Sequence, residues 1–124
     1  MTRPGPARIE LRRVYEEDPG GGAPRMLVDR LWPRGIAKAG APFDEWVKEV
    51  APSTELRKWY GHDPAKFDTF AHRYREELAR PPASDGVARL RAMAETGGVV
   101  LVTATRDVAH SAAEVLLGVP AESH

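Results

Sequence analysis

The sequence predicts a small α/β domain: a sheet that is at least partly parallel, flanked by about four to five helices. Three observations carry this. Residues Arg8–Tyr15 alternate polar and apolar side chains, as a strand with one buried face does. Val99-Val100-Leu101-Val102 is continuously aliphatic, the pattern of a strand covered on both faces in a parallel sheet. Between them, Phe67, Phe70, Ala71, Tyr74 and Leu78 recur at helical spacing. The 124 residues suit one domain over residues 1–124, able to bury about two thirds of its unfolded surface without a disulfide or metal.

The elements follow in order. Met1–Ala7 holds two prolines and a glycine and is expected to fray. After the first strand, Glu16–Pro24 contains Asp18-Pro19-Gly20-Gly21-Gly22 and reads as a loop. Met26–Trp32 reads as a second strand, stopped by Pro33 and Gly35. Phe43–Val50 suits a short helix carrying Trp46, Val47 and Val50, and Pro52 ends it by forcing the preceding residue out of the α region. Ser53 caps a second short helix with Leu56, Trp59 and Tyr60 on one face, and Gly61 closes it. Asp63 caps the next, longer helix with Pro64 at its first position, and Pro81-Pro82 terminates it. Ser84 or Asp85 opens a helix through Val87, Leu90, Met93 and Ala94 that Gly97-Gly98 ends. Thr103–Asp107 turns the chain from the buried strand into a final helix over Val108–Leu117, with Gly118 as its stop. The last strand must return beside an earlier one through the intervening helices, a crossover that is right-handed when the strands are parallel, but the strand order is not readable.

Composition narrows the chemistry. With no cysteine there is no disulfide, no thiolate metal site and no cysteine nucleophile, and a cytoplasmic setting is expected. No signal peptide is evident, and no apolar run is long enough to cross a bilayer. The formal net charge of +0 supplies no field to draw in nucleic acid or anionic membrane. His62, His72, His110 and His124 lack metal-ligand spacing. No glycine-rich phosphate fingerprint and no Gly-x-Ser-x-Gly elbow are present, so neither metal nor cofactor is expected.

Two segments concentrate reactive side chains. Val28-Asp29-Arg30-Leu31-Trp32-Pro33-Arg34-Gly35 places an acid, two guanidiniums and an indole at a strand end, and Thr103-Ala104-Thr105-Arg106-Asp107 joins a buried strand to a helix. If those strands are parallel, both segments lie at the carboxyl edge, where open α/β sheets bind ligands. Helix-start N–H groups together with Arg30, Arg34 and Arg106 would favour a phosphate, sulfate or carboxylate. Asp29 is then an acid–base or orienting group, Thr103 and Thr105 are hydroxyl donors, and Trp32 is the tryptophan expected at the site. The structural alternative stays open: Asp29 and Arg30 brace the loop through neighbouring charges, and Thr105 or Asp107 caps the helix. A second constellation comprises Ser53, Arg57, His62 and Asp63. His62 is the candidate proton carrier there, against a surface or capping role; Ser53 and Asp63 are also helix caps, and Arg57 either faces solvent or reaches the Asp29 loop.

The segments Val28–Gly35, Ala51-Pro52-Ser53 with Leu56-Arg57-Lys58-Trp59, Gly61-His62-Asp63-Pro64 and Tyr74-Arg75-Glu76-Glu77-Leu78 resemble the successive signatures of the bacterial YeaO-like family, within Domain of Unknown Function 488. The resemblance runs from about Ile9 to Leu117 and implies no assigned activity. In the wider family it implies a cysteine after the last strand and a Cys-His-Arg segment in the following helix. Here those places hold Thr103-Ala104-Thr105 and Ala109-His110-Ser111, so thiol chemistry is excluded. Three functional readings stand: a small-anion-binding domain, with or without catalysis; a nucleic-acid or protein-binding module using Arg8, Arg12, Arg13 and Arg25; and a non-catalytic scaffold or stress-associated protein. The oligomeric state is not readable.

Overall fold

A computed structural model describes residues 9–15 and 23–122. The expected fraying of Met1–Ala7, the Arg8 end of the first strand and residues 16–22 of the loop lie outside them. Ile9–Arg13 (β1), Arg25–Leu27 (β2), Glu45–Trp46 (β3) and Val99–Thr103 (β4) form one sheet, parallel throughout, in the order β1-β4-β2-β3. Four α-helices accompany it: Thr54–Tyr60 (α1), Phe67–Leu78 (α2), Ala83–Thr96 (α3) and Ala112–Glu122 (α4). β4 is central and buried along its whole length, as its unbroken aliphatic run requires.

The pleat of the sheet divides the core in two. Met26, Val28, Val99 and Leu101 join the helical residues Leu56, Phe70, Tyr74, Leu90 and Leu116 in the larger cluster. Val14, Leu27, Val100 and Val102 point the other way, where Ile36, Phe43 and Trp46 cover them. The helices therefore pack on one face, and the irregular chain between β2 and β3 shields the other. Tyr74 is fully buried in the larger cluster, donates its hydroxyl to the Val50 carbonyl, and has its pKa raised by that burial.

Local chemistry sets the helix ends as expected. The Ser53 hydroxyl accepts from the Leu56 N–H at 3.2 Å. Gly61 adopts φ 56° and returns its N–H to the Arg57 carbonyl. Asp63 accepts from the Ala65 N–H at 3.0 Å, starting the 3-10 turn Pro64–Lys66 that leads into α2.

Three elements differ from expectation, each through tertiary packing. Phe43–Val50 is not a helix but β3 followed by a 3-10 turn at Lys48–Val50. Its apolar residues serve both sides of the sheet: Phe43 and Trp46 lie against the smaller cluster, Val47 and Val50 in the larger. The edge of β2 binds the segment through the Asp44 N–H to the Arg25 carbonyl at 2.7 Å and the Val47 N–H to the Leu27 carbonyl at 2.8 Å. The expected strand Met26–Trp32 ends at Leu27, because Asp29 turns its side chain onto the end of β4. The last helix starts at Ala112, after a 3-10 turn at Val108–His110, and runs through Gly118 to Glu122. Leu117 and Val119 pack on the larger cluster, and that burial outweighs the glycine's low helix propensity.

Candidate functional site

Because all four strands are parallel, their carboxyl ends share one edge. β2 and β4 pair with Leu27 opposite Val102, and the Val28 N–H extends the ladder to the Val102 carbonyl at 3.1 Å. Asp29 therefore emerges beside Thr103. Its Oδ1 accepts from the Thr103 hydroxyl at 2.7 Å and its Oδ2 from the Ala104 N–H at 2.8 Å. The Thr103 hydroxyl oxygen also accepts from the Thr105 N–H at 3.2 Å, so one side chain ties the two loops together. Burial raises the Asp29 pKa above its ordinary value, while the bonds from Ala104 and Thr103 and the charge of Arg57 pull it down less strongly.

Above this junction lies a cleft of about 570 Å³. Asp29, Arg30, Trp32 and Arg34 line it from the first loop, Arg57 and His62 from α1 and its end, and Thr105 and Arg106 from the loop after β4. Arg57 and His62 of the second constellation therefore share one cleft with the first. The side chains of Arg30, Arg34, Arg57 and Arg106 make no salt bridge or hydrogen bond to another described residue. Two aspartates stand against them on the wall, Asp29 and Asp107, and Asp107 pairs with His110 Nδ1 at 2.9 Å. The wall thus carries four guanidiniums against two carboxylates, with Arg57 acting on Asp29 through its charge.

Two of the expected residues are placed elsewhere. Ser53 is off the wall, and its N–H and hydroxyl donate to Glu77 Oε1 and Oε2 at 2.8 and 2.6 Å. Thr103 is completely buried, so its hydroxyl serves Asp29 rather than open space. Trp32 reaches the wall but is packed edge-on against Phe43 and Trp46, and its Nε1–H is used on the Ile36 carbonyl at 2.6 Å. His62 is exposed at φ 56°, with Tyr60 as its ring neighbour, while Asp63 is turned to Ala65. The helix after the loop is capped by Ser111, which accepts from the Glu114 N–H at 3.1 Å, and not by Thr105 or Asp107.

Sequence reasoning passed over Tyr15, Leu31 and Tyr60, which also line the cleft. Tyr15 follows β1 and so reaches the same edge, a consequence legible only once β1 is known to be parallel. Tyr60 donates its hydroxyl to the His110 carbonyl, and burial, with lesser help from Asp107 and Asp63, raises its pKa. Of the arginines considered for a macromolecular surface, two are drawn inward: Arg13 Nε donates to the Thr105 carbonyl at 3.1 Å, and the buried Arg25 donates to the Pro42 carbonyl at 2.7 Å, while Arg12 pairs at the surface with Glu10 at 3.5 Å. Arg8 lies outside the described residues. Among those residues no group of three or more His, Cys, Asp or Glu side chains is placed to hold a metal ion. None of their helices is long and apolar enough to cross a membrane.

Residues 8–122 match the family model DUF488-N3i, described as the inactive DUF488-N3 subclade. The chain is 51% identical over 110 residues to an uncharacterised protein of Mycobacterium bovis, covering 88% of this chain and 90% of that one. A Mycobacterium tuberculosis H37Rv protein, also uncharacterised, matches over the same span at 51%. Uncharacterised protein YeaO of Escherichia coli K12 is 47% identical over 72 residues, 58% of this chain and 63% of YeaO. No solved structure matches. The chain belongs to DUF488-N3i, a YeaO-like family of uncharacterised bacterial proteins.

Proposed function

We propose that this protein binds a small anionic ligand, phosphorylated or carboxylated, in the cleft at the carboxyl edge of its sheet, and that it does so without transforming it. The observation that carries the reading is the set of four arginines, Arg30, Arg34, Arg57 and Arg106, that face one cleft without an ion-pair partner among the described residues. Guanidiniums hold phosphate and carboxylate through paired N–H donors, so unspent ones around a concavity favour such a ligand. Thr105 adds a hydroxyl and His62 a donor at the rim, while Asp29 fixes the two loops that present the arginines.

Catalysis is the second reading, and it would fall to Asp29 or His62. Both Asp29 oxygens already hold internal donors, and no described side chain hydrogen-bonds His62 to orient it. The description of the matching subclade as inactive favours binding alone. A nucleic-acid ligand is disfavoured by the net charge of +0, by the internal use of Arg13 and Arg25 and by the pairing of Arg12 with Glu10. The proposal carries a cytoplasmic setting with it, since small phosphorylated metabolites are retained there by their charge.

Titration calorimetry with inorganic phosphate at low ionic strength tests the reading. Saturable binding to the wild type, weakened about tenfold or more in both Arg34→Ala and Arg57→Ala, is expected from losing a charge-assisted contact. Absence of binding, or equal affinity in all three proteins, contradicts it.

A further inference from the structure

The cleft is larger than an inorganic anion needs, and it is not uniformly basic. Its volume of about 570 Å³ falls among pockets that enclose organic ligands, about 300–1,000 Å³. Asp29 sits on its wall, and a carboxylate repels an anion bound beside it. Oδ1 and Oδ2 of Asp29 each receive one donor from the protein. An ionised carboxylate offers about four acceptor positions, so each oxygen keeps one unfilled. A ligand that brings donors to Asp29 and negative charge to the arginines satisfies both ends of the cleft; a bare anion satisfies one.

A third feature separates this cleft from a simple polar site. Tyr15, 50% exposed, and Leu31, 61% exposed, are the exposed large apolar side chains among the described residues, and both lie on its wall. Tyr15 is held in place rather than loose. Its hydroxyl donates to the Arg34 carbonyl at 3.0 Å, and the Arg13 guanidinium lies 5.2 Å from the ring centroid. A fixed, half-exposed ring beside a cluster of guanidiniums is a surface on which a flat aromatic group can pack.

Resting on the anion-binding reading above, we propose that the ligand is a ribonucleoside monophosphate. The phosphate lies among Arg30, Arg34, Arg57 and Arg106. The neighbouring 2′- and 3′-hydroxyls of the ribose donate to the two unfilled acceptor positions of Asp29. The base packs against Tyr15 and Leu31. Each part of the ligand answers a different feature of the wall, so each can be removed separately.

The test is a calorimetric series with inorganic phosphate, ribose 5-phosphate, adenosine 5′-monophosphate and its 2′-deoxy counterpart, on wild type, Tyr15→Ala and Asp29→Asn. Affinity rises along the first three ligands, by about tenfold for the addition of the base. The deoxy compound binds about fivefold or more weakly than the ribonucleotide, because one Asp29 acceptor loses its donor. Tyr15→Ala removes the gain from the base, so that adenosine 5′-monophosphate binds this variant no more tightly than ribose 5-phosphate does. Asp29→Asn abolishes the difference between the ribo and deoxy ligands. Phosphate binding that gains nothing from ribose or base overturns this inference and leaves the anion-binding reading standing. A gain that survives Tyr15→Ala overturns it as well, and failure of all four ligands to bind overturns both.

Discussion

Thr103→Val is the substitution that reports most directly on how the site is built. Thr103 is 0% exposed, and valine keeps its β-branched shape, so the change removes a hydroxyl with little repacking. Two hydrogen bonds go with it: the 2.7 Å donation to the Asp29 carboxylate and the 3.2 Å acceptance from the Thr105 N–H. The first, to a charged group, is worth about 1.5–3 kcal/mol and the second about 0.5–1.5 kcal/mol, so a loss of about 2–4 kcal/mol is expected at neutral pH. For a chain of this length that lowers the thermal midpoint by roughly 10 °C. The loss depends on pH in a defined direction. Burial holds the Asp29 pKa above its unfolded value, and the Thr103 bond works against that rise, so the valine variant moves it higher still. A raised carboxyl contributes stability that is fully present below the unfolded pKa and is lost as pH rises through the folded pKa. The penalty of Thr103→Val is therefore largest at neutral pH and shrinks as acidification protonates Asp29. Urea denaturation followed by tryptophan fluorescence at neutral pH and in the acidic carboxylate range measures it. A neutral-pH loss below about 0.5 kcal/mol, or a penalty that grows on acidification, refutes the reasoning.

Three further outcomes follow from the same structure. Asp29→Asn removes a group whose ionisation opposes folding, so wild type gains stability relative to the variant as pH falls through the folded Asp29 pKa; denaturation curves at several pH values should converge or cross, and a pH-independent difference contradicts this. Gly86→Ala should destabilise, although alanine is the better helix former by about 1 kcal/mol: the added Cβ meets Val50 Cγ1 at 2.5 Å and Glu49 Cγ at 3.0 Å, Val50 is fully buried, and overpacking costs about 1–3 kcal/mol. A raised midpoint for this variant shows that the turn before α1 gives way. Glu77→Ala strands the Ser53 N–H and hydroxyl that its carboxylate now accepts, and a loss of about 1–3 kcal/mol is expected in urea denaturation, with a neutral result contradicting the role of that contact.

What the sequence discloses here is local chemistry. The Ser53 and Asp63 caps and the Gly61 turn are set by hydrogen bonds within a few residues, and each formed where its signal stood. The aliphatic run at Val99–Val102 identified the central strand, because burial on both faces leaves no position for a polar side chain. Together with the strand read before Asp29, it leads to the expectation that the Asp29 and Thr105 loops meet if the two strands are parallel, and β2 and β4 meet that condition. Contacts distant along the chain were not legible. Phe43, Trp46, Val47 and Val50 mimic a helix stripe because residues serving two faces of a sheet can share that spacing. The engagement of Ser53 by Glu77 crosses 24 residues and leaves no local mark. The inward use of Arg13 and Arg25, and the arrival of Tyr15 and Leu31 at the cleft, depend on the strand order β1-β4-β2-β3, which periodicity does not encode.

Diffraction from crystals soaked in phosphate and in vanadate measures the central claim most directly. Tetrahedral or trigonal-bipyramidal density is predicted within hydrogen-bonding reach of at least two of Arg30, Arg34, Arg57 and Arg106, beside the Thr105 loop. Oxyanions bound elsewhere on the protein, with only solvent in the cleft between Asp29 and Arg106, would contradict it.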